Sequence, residues 1–210
     1  MIKVVSFDIG GTLLVDTIEF DSSKYTLNAL AELLNLPYDA VRCEYKKVFQ
    51  VKKGTFDELI NEFCSRLNIN PTNELRNFFK NKFSNKLSVI SKNNIKLIRE
   101  IKDRGYKVIF FSNSCCLNNN NINKEIMDII DGLYYSYELG YTKNEEASYR
   151  YIEKELDCQP EEFIHIGDTL KSDYLKPIEY GWNALYYGKT NDNTIKSITS
   201  LDKVLEYLPR

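Results

Sequence analysis

Residues 4–12, Val-Val-Ser-Phe-Asp-Ile-Gly-Gly-Thr, constrain the fold more than any other stretch of the chain. A short apolar run bounded by a turn signal is the pattern of a strand covered on both faces. It ends in Asp8 and then in a glycine-rich turn whose backbone N–H groups are free to face an anion. That layout suits a carboxylate that attacks phosphorus, with the loop holding the phosphoryl oxygens. Read alone, the segment is equally a strand and turn in which Asp8 caps a helix.

The rest of the chain supplies what such a strand needs. Ile2–Phe7, Val108–Ser112, Phe163–Ile166 and Ala184–Tyr187 read as strands. Helical segments alternate with them: Asn94–Arg104, with Ile95, Ile98 and Ile101 on one face and Gly105 as its stop, and Ser148–Leu156. Repeated strand–helix–strand order predicts an α/β fold, a Rossmann-like three-layer sandwich built on a parallel sheet. Residues 15–91 break the rhythm. They show no strand, but Leu27, Leu30 and Leu34 share a helical face, Phe56, Leu59, Ile60, Phe63 and Leu67 form a second stripe, and Phe78, Phe79 and Phe83 suggest a third helix. The expectation is a core of residues 1–14 and 92–210 with a helical-bundle cap, residues 15–91, inserted after the first strand. Its linkers fall near Leu14–Asp16 and Ser88–Asn93, and Asn118–Asn121 reads as a loop of the core.

Composition excludes several partners. With 28 basic against 30 acidic residues the formal charge is −2, so there is no field to collect nucleic acid or an anionic membrane. No apolar run approaches the ~18 residues a membrane span requires, and no secretory signal is visible. A cytoplasmic address is expected. The five cysteines include no Cys-x-x-Cys pair and the only histidine is His165, which argues against a zinc site. Adjacent Cys115 and Cys116 read as reduced thiols, with oxidation sensing as the alternative.

Ligands of open parallel sheets bind beyond the carboxyl ends of the strands. Those ends carry Asp8 with Gly10-Gly11-Thr12, then Ser112 and Asn113, then Gly167-Asp168 with Asp173 five positions on. Lys143 follows a tyrosine-rich segment, Leu133–Tyr137. Singly, Ser112 fits a helix cap, Lys143 a loop lysine, and Asp168 and Asp173 turn residues. In this order and spacing the chain resembles the haloacid dehalogenase superfamily over nearly its whole length, in the subclass with an all-helical cap. The resemblance implies a phosphohydrolase acting on a small phosphorylated molecule. Asp8 would be the nucleophile. Asp8, Asp168, Asp173 and the Gly10 carbonyl would hold or orient Mg²⁺. Ser112, Asn113, Gly11, Thr12 and Lys143 would bind the phosphoryl group, with Ser112 and Lys143 aiding catalysis. The only histidine, His165, lies within an apolar strand and reads as structural, not as the base of a Ser-His-Asp hydrolase.

One position departs from the family pattern. Most phosphatases of the superfamily carry a second aspartate two residues after the nucleophile, where this chain has Gly10. Glycine keeps a backbone carbonyl for the metal but offers no general acid. The implied consequences are a substrate with a good leaving group, such as an acyl or aryl phosphate, or a deputy acid among Asp16, Glu19 and Asp21. The alternative is a catalytically weak relative that binds a phosphorylated ligand or partner. Phosphonatase-like C–P chemistry would call on Lys52 or Lys53, which otherwise read as surface charge. A receiver-type phosphoacceptor would place its aspartate on the third strand instead. Gly10 together with Asp168 and Asp173 argues against the metal-free dehalogenase branch, whose members usually carry an aromatic residue at the position of Gly10. Substrate identity and oligomeric state are not legible.

Overall fold

The computed structural model describes residues 1–15, 23–84, 89–118, 122 and 124–209. In chain order the elements begin with β1 (Val4–Phe7), β2 (Leu14–Val15), α1 (Ser23–Leu34), α2 (Tyr38–Tyr45), α3 (Phe56–Arg66), α4 (Asn73–Ser84) and β3 (Val89–Ile90). They continue with α5 (Lys92–Asp103), β4 (Lys107–Ser112), α6 (Lys124–Met127), β5 (Gly132–Tyr135), α7 (Ser136–Leu139) and α8 (Glu146–Leu156). The last are β6 (Phe163–Gly167), α9 (Lys176–Glu179), β7 (Asn183–Tyr187) and β8 (Ser197–Ile198).

The main sheet runs β5-β4-β1-β6-β7-β8, every neighbouring pair parallel. Strand alternation sorts β1 between two cores. Val5 and Phe7 pack with Val108, Phe110, Ile164 and Ile166 and with Ile95, Ile98 and Ile101 of α5. Val4, on the opposite face, packs with Ile109, Phe111, Phe163, Tyr149 and Trp182. Both faces are therefore covered, which explains why the strands read as nearly continuous apolar runs. The chain order changes direction between β1 and β6, so the crevice at their carboxyl ends is where a doubly wound sheet binds ligands.

Helices α1–α4 bury a separate apolar cluster. Phe49, fully buried, lies at its centre, with ring centroids 4.8 Å from Phe79 and 5.5 Å from Phe63. Thr55 and Glu58 close a reciprocal capping box at the start of α3. Where no strand was expected, β2 and β3 pair antiparallel at the base of this insert, Leu14 with Ile90 and Val15 with Val89. Two-residue strands are too short to leave an alternating pattern. The sequence reading also passed over α2, which continues as a π-helical turn over Lys46–Gln50. The spacing of Val41, Tyr45, Val48 and Phe49 is a helical stripe that would have revealed it. The loop after β4 reaches into the bundle: Cys115 is part of its apolar cluster, and Cys116 Sγ lies 3.5 Å from the Gly54 carbonyl. Among the described residues no helix is long and apolar enough to cross a membrane.

Candidate active site

Asp8 follows β1 directly, and its N–H donates to the Ile166 carbonyl at 2.8 Å, tying the end of β1 to β6. The same turn brings Asp8 beside the loop after β6. One ligand atom from each of Asp8, Asp168 and Asp173 falls within 4.8 Å of the others. Lys143 is 2% exposed and its Nζ sits between two of these acids, 2.5 Å from Asp8 Oδ1 and 2.6 Å from Asp173 Oδ1. A buried ammonium costs desolvation that such close carboxylates offset. The Lys143 backbone is held on both sides: its N–H donates to Asn113 Oδ1 at 2.9 Å, and its carbonyl accepts from Tyr149 Oη at 2.9 Å.

Asp173 is fixed as firmly. Its Oδ2 accepts from the Thr169 N–H at 2.8 Å, and its Oδ1 accepts from Ser172 Oγ at 3.2 Å in addition to Lys143. Glycine at 167 permits this approach, since a Cβ there would lie 2.6 Å from Asp173 Cβ and Cγ. Gly11 is required twice over. Its φ is +73°, and a Cβ would sit 2.8 Å from Asp168 Cγ. Gly10 differs: nothing lies within 4 Å of where its Cβ would be.

Beneath the acids lies a residue whose part the sequence did not reveal. His165 is fully buried on β6, opposite Ser6 of β1 in the sheet register. Its Nδ1 is 2.8 Å from Ser6 Oγ, and its Nε2 is 3.5 Å from Asp173 Oδ1 with no closer partner. Burial pushes its pKa down, so the ring is neutral. A neutral imidazole that accepts the Ser6 hydroxyl proton at Nδ1 carries its own proton on Nε2, aimed at Asp173. His165 thus buttresses the acid that holds Lys143. Alternation along the first strand was the part visible in the sequence, putting Ser6 on the same side as Asp8 just beyond β1; that His165 faces Ser6 comes from the register of β1 against β6.

Electrostatics set the demands of the site. Burial pushes Asp8 up to about 7, Lys143 opposes this, and Asp173 and Asp168 add to it. Burial also raises Asp168, with Asp173 reinforcing it. Burial would raise Asp173 too, but Lys143 and His165 outweigh it and hold that carboxyl well below its usual range. Three carboxylates therefore face one ammonium and a neutral imidazole. An all-oxygen, anionic donor set of this kind would suit a hard divalent cation such as Mg²⁺.

The sign of the Asp8 shift gives a testable consequence. A carboxyl whose folded pKa lies above its ordinary 3.8 costs stability once ionised, so its contribution is lost as pH rises from about 4 to about 7. A cation paired with the carboxylates relieves that cost. Mg²⁺ is expected to raise the melting temperature, measured by thermal scanning against an EDTA control, more at pH 8 than at pH 5. Equal rises at both values would disconnect metal binding from Asp8.

A family model for haloacid dehalogenase-like hydrolases matches residues 2–175. The chain belongs to that family. Solved structures with the same architecture include the HAD-hydrolase YfnB from Bacillus subtilis bound to magnesium, at TM-score 0.63 and 18% identity, covering 100% of this chain and 99% of that one. A 2-haloacid dehalogenase from Pseudomonas syringae aligns at TM-score 0.62 and 15% identity, covering 99% and 98%. The family enzyme BT-2542 from Bacteroides thetaiotaomicron, in complex with magnesium and inorganic phosphate, aligns at TM-score 0.60 and 17% identity, covering 92% and 98%. No curated protein matches the sequence.

In this haloacid dehalogenase-like hydrolase Asp8, Lys143, Asp168 and Asp173 meet in one cluster. Ser112 is buried at the end of β4, and its hydroxyl makes no hydrogen bond among the described residues. Asn113 has committed its Oδ1 to Lys143. Thr12 Oγ1 is buried without a hydrogen-bond partner of ordinary geometry, yet it lies near enough to Asp168 to favour that carboxylate's charge. Lys52 and Lys53 are engaged at the surface, by Glu62 and Glu138 respectively. Asp16, Glu19 and Asp21 lie outside the described residues.

Proposed function

We propose that the protein is a Mg²⁺-dependent phosphohydrolase acting on a small phosphorylated metabolite through an aspartyl-phosphate. The observation that carries this reading is the placement of Lys143, 2.5 Å from Asp8 and 2.6 Å from Asp173 in a buried cluster that also contains Asp168. A 2-haloacid substrate carries one carboxylate and gives no reason to gather three acids around a lysine.

Asp8 attacks phosphorus, and the bond from phosphorus to the leaving-group oxygen breaks in line. Water then attacks the phosphorus of the aspartyl-phosphate, releasing phosphate and restoring the Asp8 carboxylate. Lys143 offsets charge on Asp8 and on the transferring phosphoryl group. Ser112 donates its hydroxyl proton to a phosphoryl oxygen, and the backbone of Gly11 and Thr12 and the amide of Asn113 supply further donors. Asp8, Asp168 and the Gly10 carbonyl would hold Mg²⁺, with Asp173 orienting its surroundings through Lys143. The bound ion would neutralise the acids and the phosphate dianion, which otherwise repel. The helical insert, residues 15–91, acts as a cap that excludes water from the cleft. Gly10 confines the enzyme to leaving groups that need little protonation. The same glycine favours the second reading, a weakly catalytic binder of phosphorylated ligands.

A panel of acyl, aryl and alkyl phosphates and 2-chloro acids tests the proposal. Expected is phosphate release from acyl and aryl esters in Mg²⁺, none in EDTA, and no chloride release. Chloride release, or silence on every phosphate, would refute it.

A further inference from the structure

We infer that Ser136 is a positioning residue of the phosphoryl site: its hydroxyl pins the backbone of Ser114 and so holds Ser112, two residues back, where the Ser112 hydroxyl can donate to a phosphoryl oxygen. This rests on the phosphohydrolase reading of the same cleft and adds to it a residue outside the acidic cluster. Ser112 pairs with Tyr135 in the register of β4 against β5, so Ser136 stands level with the loop that leaves β4. Ser136 Oγ accepts from the Ser114 N–H at 3.0 Å and donates to the Ser114 carbonyl at 3.3 Å. Both residues are buried, Ser136 completely. One hydroxyl thus engages the donor and the acceptor of a single loop residue, away from bulk water. The Ser114 hydroxyl closes the turn beyond, accepting from Asn118 Nδ2 at 3.2 Å.

What lies on either side of Ser114 gives the pin its purpose. On one side, Asn113 has a tether of its own, its Oδ1 accepting from the Lys143 N–H at 2.9 Å. The Ser112 hydroxyl makes no hydrogen bond among the described residues, so its placement depends on the backbone that carries it. On the other side, Cys115 is buried in the apolar cluster of the helical insert, and Cys116 and Leu117 pack against that cluster. Ser114 is therefore the joint at which the chain leaves the phosphoryl site for the cap. Held by Ser136, it keeps displacements of the insert from reaching Ser112. Hydrogen bonds weaken steeply with misalignment, and small misplacements of a binding group are costly in rate. The Ser136 hydroxyl thus acts on phosphate through Ser112, and not on folding alone.

Calorimetric titration with inorganic phosphate in Mg²⁺ tests the pin without turnover, as a double-mutant cycle on S136A and S112A. S136A is expected to weaken phosphate binding ~5-fold or more relative to wild type. In the S112A background the same change is expected to cost about 2-fold or less, because the group it positions is gone. T72A serves as a comparator. It removes the side-chain oxygen that accepts from the Leu75 N–H at 3.2 Å at the start of α4, and is expected to lower the melting temperature while retaining wild-type affinity. If S136A does not fold, S136C, with a weakly bonding thiol of similar shape, enters the cycle under the same expectations. A smaller loss in the single variant, an equal loss in the S112A background, a matching loss in T72A, or no phosphate binding by the wild type would overturn the positioning role. The expected cycle in a protein that releases no phosphate from any ester would keep the pin and end the hydrolase reading, so the two fail separately.

Discussion

Replacement of Asp8 by asparagine is expected to lower Mg²⁺-dependent phosphate release by at least ~10³-fold while raising the melting temperature in EDTA at pH 8. The two halves have one cause. Asparagine matches aspartate in shape, and its Oδ1 can still accept from Lys143, which now reaches Asp8 at 2.5 Å. What disappears is a nucleophilic oxygen and a buried negative charge. The folded protein holds Asp8, Asp168 and Asp173 together against a single ammonium, and burial opposes the ionisation of Asp8. Removing one carboxylate leaves Lys143 paired with Asp173 at 2.6 Å and relieves repulsion among the others. Initial rates on an aryl phosphate and a thermal scan of the same preparation decide both points. Activity within tenfold of wild type would remove Asp8 from the chemistry. A lowered melting temperature would mean that its bond to Lys143 outweighs the repulsion.

The fold was legible because its signals are local and strong. Val4–Phe7 and Phe163–Gly167 are apolar and end in acids, and α5 carries Ile95, Ile98 and Ile101 at helical spacing. Asp8 and Asp168 were legible because each directly follows a strand, and a parallel sheet gathers its strand ends on one edge, whereas Lys143 comes after α7 and was legible only from the motif order. What stayed hidden depends on contacts distant in sequence. β5 was read only as a tyrosine-rich segment, since Tyr134 and Tyr135 are buried by packing that composition does not announce. His165 was recognised as buried, but its line from Ser6 to Asp173 needs the register of β1 against β6.

Converting Gly10 to aspartate is expected to raise turnover of alkyl phosphates by ~10²-fold and of aryl phosphates far less. The site has room for the change. Gly10 does not need a left-handed φ, and an added Cβ meets nothing within 4 Å, unlike Gly11, where it would strike Asp168. The backbone carbonyl proposed as a metal ligand is retained. The new carboxyl would stand at the exposed side of the cleft, two residues from Asp8, where a departing oxygen must find a proton. An alkoxide is a poor leaving group and gains most from that proton. A phenolate or carboxylate leaves with little help, so it gains little. The ratio of kcat values on matched alkyl and aryl esters isolates the effect from changes in binding, which would appear in KM. Equal gains on both esters would show that leaving-group protonation was not the step glycine had sacrificed. No gain on either would mean that another group already supplies the proton, and the restriction to good leaving groups would fall with it.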